Sequence, residues 1–234
     1  MKIRHLARWA GTGTRAAMLS ALAGLAAADA APSERMAPLA QYLMSPGSEI
    51  ALARSAAPAA ISAKATVLTL DAQGYQTAVH GTNGFTCLVE RSWMSPFASH
   101  DFWNPKIRGP VCYNPAASGS ILAYTLRRTK LALAGDSKER ILGEVRAALA
   151  RNEIRSPKSG AMSFMMSKDG YLSDADDHWH PHLMFYVPKV VGVSWGANLP
   201  GSPVVLDERE VPEPQTIFMV PVSQWSDGTA AAAH

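Results

Sequence analysis

Residues 65–91, ATVLTLDAQGYQTAVHGTNGFTCLVER, decide how the rest of the chain is read. Ala65–Leu70 carries β-branched residues and Asp71-Ala72-Gln73-Gly74 is turn chemistry, so Tyr75–His80 returns as a second strand. Gly81-Thr82-Asn83-Gly84 reads as another turn, its Asn-Gly suited to positive φ, and Phe85–Arg91 as a third strand. Three strands joined by tight turns predict an antiparallel meander. In the third, Phe85, Cys87 and Val89 share one face, and Thr86, Leu88 and Glu90 the other. Glu90 is a candidate catalytic acid; the plainer expectation is a strand-end ion pair.

Outward from the meander, the 234-residue chain is long enough for one domain with a core, or two small ones. Residues 1–30 have the pattern of a signal peptide. Lys2, Arg4, Arg8 and Arg15 precede the Ala/Leu-rich run 16–28, and Ala28-Asp29-Ala30 fits a cleavage site, with Ala26-Ala27-Ala28 competing. The run is too short for a stop-transfer helix, and no adjacent arginine pair marks the twin-arginine route; an uncleaved anchor is the alternative. Without those thirty residues the net charge of +3 disappears, leaving 18 basic and 18 acidic residues. The balance, and the lack of a basic run interleaved with aromatics, argue against a nucleic-acid partner.

Residues 31–48 read as a flexible leader, 49–226 as a single α+β domain and 227–234 as a disordered tail. Glu49–Ala57 is expected to be a short helix capped by Ser48. Ser92–Pro115, punctuated by four prolines and holding Trp93, Phe97, Phe102 and Trp103, reads as a long loop; its aromatics either pack on the domain or line a ligand site. Two helices follow. Ser118–Ala134 places Leu122, Leu126 and Leu133 on one face and Arg127, Arg128 and Lys130 in solvent, with Gly135 closing it. Lys138–Arg151 carries the stripe Ile141, Leu142, Val145 and Leu149 behind a capping-box variant, Asp136-Ser137-Lys138-Glu139. Gly160–Ser167, His182–Val187, Val190–Trp195 and Thr216–Val222 are the remaining strands, Pro221 marking an edge or bulge. The predicted architecture is a mainly antiparallel sheet of about five to seven strands with the helix pair on one face.

Cys87 and Cys112, in a chain bound for an oxidising compartment, are expected to form a disulfide worth roughly 3–4 kcal/mol by the loop-entropy model. A reactive or metal-bound pair is the alternative, though no C-x-x-C spacing supports it.

The chemistry concentrates in residues 173–188, SDADDHWHPHLMFYVP. In an extended chain His178, His180 and His182 share a face, and Met184 and Tyr186 continue it. Three imidazoles suit zinc, or copper with a soft methionine nearby. Two features oppose a three-histidine site: Pro181 breaks the ladder, and histidines two apart on one strand stand about 6–7 Å from each other. Asp174, Asp176, Asp177 and Asp169 lack the spacing of a calcium loop and read as an acidic solvated segment. Met162, Met165, Met166, Met184 and Met219 are soft copper ligands in principle, and core filler in the simpler reading. No nucleophile elbow, Walker loop, dinucleotide fingerprint or H-E-x-x-H helix is present, and nothing marks Ser163 as a nucleophile.

The motifs Gly81–Cys87, Pro110-Val111-Cys112, Gly160-Ala161-Met162, His180–Met184 and Phe218–Val222, in that order, resemble an uncharacterised family of exported bacterial proteins across about residues 49–222. The resemblance implies a periplasmic or secreted location, an α+β domain and paired cysteines, and it implies no reaction. The leading functional expectation is a non-catalytic small-ligand- or metal-binding module with its site near His178–His182. The alternatives are a metal-dependent hydrolase using the same histidines with Asp177 or Glu90, and a structural or interaction protein of the cell envelope.

Overall fold

The computed structural model describes residues 35–173, 180–206 and 212–231. Its centre is one eight-stranded sheet of spatial order β2-β1-β3-β4-β5-β6-β8-β7. The strands are β1 (Thr66–Asp71), β2 (Gly74–Val79), β3 (Thr86–Glu90), β4 (Gly109–Tyr113), β5 (Met162–Met165), β6 (His182–Pro188), β7 (Val205–Leu206) and β8 (Gln215–Pro221). With five α-helices among the described residues the domain is α+β, and its sheet is one strand wider than the sequence predicts.

The expected hairpin β1–β2 forms, but the meander does not continue. β3 lies on the far side of β1 and runs parallel to it, pairing Thr66 with Thr86 and Val67 with Cys87. Residues 80–85 therefore cross the start of β1 instead of turning back beside β2. Gly81 makes this crossing possible: a Cβ there would lie 2.1 Å from the Thr66 nitrogen and 2.3 Å from the Ala65 carbonyl carbon. The loop is tied to the chain it crosses. Thr82 N–H donates to the Lys64 carbonyl (2.8 Å), Gly81 N–H to Thr66 Oγ1 (3.1 Å) and Asn83 Nδ2 to the Ile61 carbonyl (2.8 Å). All other strand pairs are antiparallel.

Inside the segment read as a loop, Gly109–Tyr113 is a fully buried central strand. Its proline hid it. β5 pairs with β4 only at Cys112 and Tyr113, so the ladder on that side asks for no N–H at Pro110. Cys87 and Cys112 stand directly opposite each other on β3 and β4 and form the disulfide, closing the base of 92–108.

Both faces of the sheet are covered. Helix α1 (Pro46–Arg54) and α2 (Ala59–Ser62) belong to the face where Ala53, Ala56 and Ala57 pack with Val67, Cys87, Val89 and Cys112. The α1 cap is Ser45 rather than Ser48, since Pro46 takes the first helical position, where its missing N–H costs nothing. On the opposite face α3 (Pro115–Ser118) and α4 (Leu122–Leu133) lie over Leu68, Leu88, Val111 and Tyr113, and α5 (Lys138–Ala150) packs its Ile141 and Val145 with Ala132 of α4, Leu70 of β1 and the aromatic side chains Trp93, Phe97 and Phe102. The predicted helix 118–134 is thus interrupted between Ser118 and Leu122.

Helix α5 buries Ile141 and Val145 as expected. Helix α4 buries its leucine stripe only in part: Leu122 and Leu133 are half-buried against the core and Leu126 is 39 % exposed, while Tyr124, Thr125, Arg128, Thr129 and Ala132 face inward. Arg128, expected in solvent, makes a two-pronged ion pair with the buried Glu213 (2.6 and 2.7 Å) and lies 4.3 Å from the centre of the Phe97 ring.

Several smaller expectations change as well. Part of the segment read as leader is built into the domain: Tyr42 is fully buried and donates to the Trp103 carbonyl (2.7 Å). Residues 192–195 form a 3₁₀ turn, not a strand. β8 lies between β6 and β7, with Pro221 at its end beyond the two residues that β7 pairs. Residues 227–231, read as tail, include the Lys168–Asp227 ion pair and a bridge from Gln224 to Ala230.

Candidate functional site

Strand register assembles the site. On the face that α3 and α4 cover, Glu90 of β3 stands opposite Gly109, Met165 of β5 opposite His182, and Met184 of β6 opposite Met219 of β8. His182 and Met184 are two apart on β6 and share that face. These residues floor a cavity of about 480 Å³ at the end of the face that α4 leaves uncovered. Its wall is the segment from Met94 to Asp101, with Ile107, Leu172 and Ser173.

That wall comes from the aromatic loop. Trp93, Phe97, Phe102 and Trp103 are buried, and the Phe102 and Trp103 rings meet edge to face at 4.8 Å. Trp93 Nε1–H donates to Thr129 Oγ1 of α4 (2.9 Å), and Arg128 donates to the Trp93 and Ser95 carbonyls (3.2 and 3.1 Å). The aromatics thus pack on the domain, and by doing so hold out the polar residues between them as the cavity wall. The packing reading of the aromatics holds: none of the four lines the cavity, whose wall is made by the residues between them.

The ionisable groups of the cavity are each held by named partners. Glu90 Oε1 accepts from the Tyr113 hydroxyl (2.6 Å) and from Thr125 Oγ1 (2.9 Å). Burial pushes the Glu90 pKa up, and those two hydrogen bonds oppose the rise. Burial and the nearby Glu90 charge together keep the Tyr113 hydroxyl protonated, so it remains a donor. Asp101 accepts from Ser173 Oγ and from Asn104 Nδ2, both at 2.9 Å, and His100 Nε2 lies 3.3 Å from its second oxygen. His182 Nδ1–H donates to the His180 carbonyl (2.9 Å), so in the neutral ring the lone pair is on Nε2. Burial lowers the His182 pKa, the bond to His180 partly offsetting it.

Of the residues singled out in the sequence, Glu90, His182, Met165, Met184 and Met219 meet at this cavity. Met162 points to the other face of β5 by strand alternation, and Met166 lies past the strand end. His180 precedes β6 and contributes its carbonyl. His178, Asp174, Asp176 and Asp177 lie outside the described residues. Ser163 is buried and hydrogen-bonded to the Tyr186 hydroxyl (2.9 Å), a structural pair. Sequence reasoning overlooked Met94, His100 and Asp101; the one signal for them was the disulfide that brings their loop onto the sheet. Among the described residues, no three His, Cys, Asp or Glu side chains come together as a metal-binding group, so the all-histidine site has no support there.

Fold and site define an α+β domain with a disulfide in its core and a recess on one sheet face. No family model, curated protein or solved structure compared with the chain matches it. None of the described helices is long and apolar enough to cross a membrane.

Proposed function

We propose that the protein is an exported, non-catalytic binding module, periplasmic or secreted, that holds a small molecule or a metal ion in the cavity beside His182. One observation carries this reading: four strands and the disulfide-closed segment bring two carboxyl groups, two imidazoles, a guanidinium and several thioethers around one recess of about 480 Å³, within the size range of small-ligand sites. Binding is favoured over catalysis because the carboxyl and hydroxyl groups described at the cavity are already engaged in hydrogen bonds within the fold. The disulfide, the N-terminal signal pattern and the motif resemblance support export.

The test uses Ala98, which lies exposed at the cavity rim. Ala98→Trp should obstruct the mouth without touching the core. A thermal-shift panel of metal ions, small acids and small amines on the purified protein should yield a binder whose affinity falls at least tenfold in Ala98→Trp. If no member of the panel shows a cavity-dependent effect, the reading is overturned, and the structural or interaction role is what remains.

A further inference from the structure

Exposed hydrocarbon is concentrated at one place. Of the seven large apolar side chains that stand exposed among the described residues, six lie in residues 190–206: Val190, Val191, Val193, Trp195, Leu199 and Val205. Val191 and Val193 are the most open, at 71 % and 63 %. Single exposed apolar residues are ordinary, but six in one short segment mark a surface that something else covers. The segment comprises the 3₁₀ turn Gly192–Trp195, the loop behind it and β7, at the edge of the sheet. Trp195 lies flat on Phe218 of β8, ring centres 4.6 Å apart, and still leaves 44 % of its surface exposed. Phe218 and Met219 point to opposite faces of β8, so this surface and the cavity lie on different sides of the sheet.

Two properties of the segment say what covers it. Residues 190–206 hold no Asp, Glu, Lys, Arg or His, in a chain where 18 % of residues are charged. Its polar groups, moreover, are engaged with one another. The N–H groups of Ser194, Gly196, Ala197, Asn198 and Ser202 donate to the carbonyls of Val191, Val193, Gly192, Val204 and Leu199, at 2.9–3.2 Å. The hydroxyl and amide side chains do the same. Ser194 Oγ donates to the Val191 carbonyl, Ser202 Oγ accepts from Val204 N–H, and Asn198 exchanges two bonds with the Leu206 backbone. Pro200 and Pro203 have no N–H to satisfy.

A protein partner is recognised by charges and by about one hydrogen bond per 100–200 Å², and this surface offers little of either. A bilayer demands the reverse: no charge, and polar groups closed within the segment. Trp195 suits the boundary itself, where an indole settles at headgroup level. Charge returns at both ends. Lys189 is exposed directly before the segment, and Asp207-Glu208-Arg209-Glu210 follows it in the sequence. Two basic residues against three acidic ones leave no positive excess, so the attraction is hydrophobic and owes nothing to anionic lipid.

We propose that residues 190–206 seat the protein on the surface of a neutral lipid bilayer. Val191, Val193 and Leu199 enter the boundary of the acyl chains, and Trp195 marks the depth of the headgroups. The segment is a peripheral anchor and not a span. It goes beyond the cavity reading and is independent of it, since the two surfaces lie on different faces of the sheet.

The experiment mixes the protein with phosphatidylcholine vesicles whose acyl chains carry a doxyl quencher, and reads tryptophan emission. Residues 1–30, where retained, would bring Trp9 to the vesicles, so the deciding signal is the part of the quenching that Trp195→Phe removes. Phenylalanine keeps a ring on Phe218. That part should be present in the wild type and unchanged by added salt or by phosphatidylglycerol. Val191→Asp/Val193→Asp should need roughly tenfold more lipid, or more, to reach it. Both valines are exposed, so the double variant should keep its urea unfolding curve; if it does not, Val191→Asp alone serves. No quenching assigned to position 195, or the same quenching in the aspartate variant, overturns the proposal. Quenching that requires phosphatidylglycerol and vanishes with salt also overturns it, because the attraction is then electrostatic. Self-association that the aspartates abolish, without quenching at position 195, gives the surface to a second copy of the chain and overturns it as well. Ala98→Trp should leave the quenching unchanged, and failure of the lipid test leaves the cavity reading standing.

Discussion

Helices α4 and α5 are packed neighbours held in place by opposite means. α5 buries Ile141 and Val145, with Leu142 and Leu149 partly covered, and its outer side is polar. α4 turns Leu126 outward and buries a tyrosine, two threonines and an arginine. Every one of those polar side chains has a partner: Tyr124 the Arg155 carbonyl, Thr125 Glu90, Arg128 Glu213, and Thr129 the Trp93 indole. The apolar helix holds its place by removing hydrocarbon from water, which demands no particular orientation. The polar helix is held by directional bonds whose loss strands a buried group, and those bonds are what position the cavity wall and Glu90. The site stands on the second kind of helix.

The difference is sharpest at Arg128. Its replacement by alanine leaves the Glu213 carboxylate buried and alone, and should cost about 3–5 kcal/mol in urea unfolding. The paired change Arg128→Met/Glu213→Leu should recover most of that loss. If the double variant is as unstable as the single one, the arginine's bonds to the Trp93 and Ser95 carbonyls matter more than the ion pair. On the apolar helix, Ile141→Ala should cost about 2–4 kcal/mol, whereas Leu126→Ala on α4 should change stability by no more than about 0.5 kcal/mol. Equal losses at the two positions would mean that the leucine stripe is the buried side of α4 after all.

A further effect, dependent on pH, is expected at Glu90. A carboxyl whose folded pKa is raised stabilises the fold below the ordinary glutamate range, and that contribution is lost as pH rises through the folded value. Glu90→Gln removes the penalty of an ionised buried group while keeping an oxygen for Tyr113 and Thr125. The variant should therefore melt above the wild type at pH 7–8, and the gap should close as pH falls through the ordinary glutamate range. Melting curves from pH 3.5 to 8 test this, and a gap independent of pH would show that Glu90 titrates in the ordinary way.

The sequence was readable wherever burial is apolar and local. Alternation marked β1, β2, β3, β5, β6 and β8, a 3.6-residue stripe marked α5, and two cysteines behind a signal-like N-terminal pattern marked their bond. It was misleading where long-range partners decide. Nothing local shows that Arg128 meets a glutamate 85 residues later, that Glu49 of α1 pairs with Arg91 in the core, or that Pro110 sits where the ladder asks for no donor. The site was half legible for the same reason. The sequence shows that His182 and Met184 share a face, but only strand order adds Met165 and Met219, and only the folded loop adds Asp101.

The glycine at the crossing of β1 has a role beyond clearance. Residues 65–91 read as an all-antiparallel meander, so that arrangement is the chain's nearest competitor, with β3 beside β2 instead of β1. The two arrangements use the same strands and differ in the path of six residues. With any side chain at position 81 the crossing is obstructed by backbone, which no rotamer change relieves, while the meander remains open. Gly81 therefore acts in the choice between two topologies. Since β3 carries both Cys87 and Glu90, one hydrogen atom in place of a methyl group helps decide whether the disulfide and the cavity are built at all.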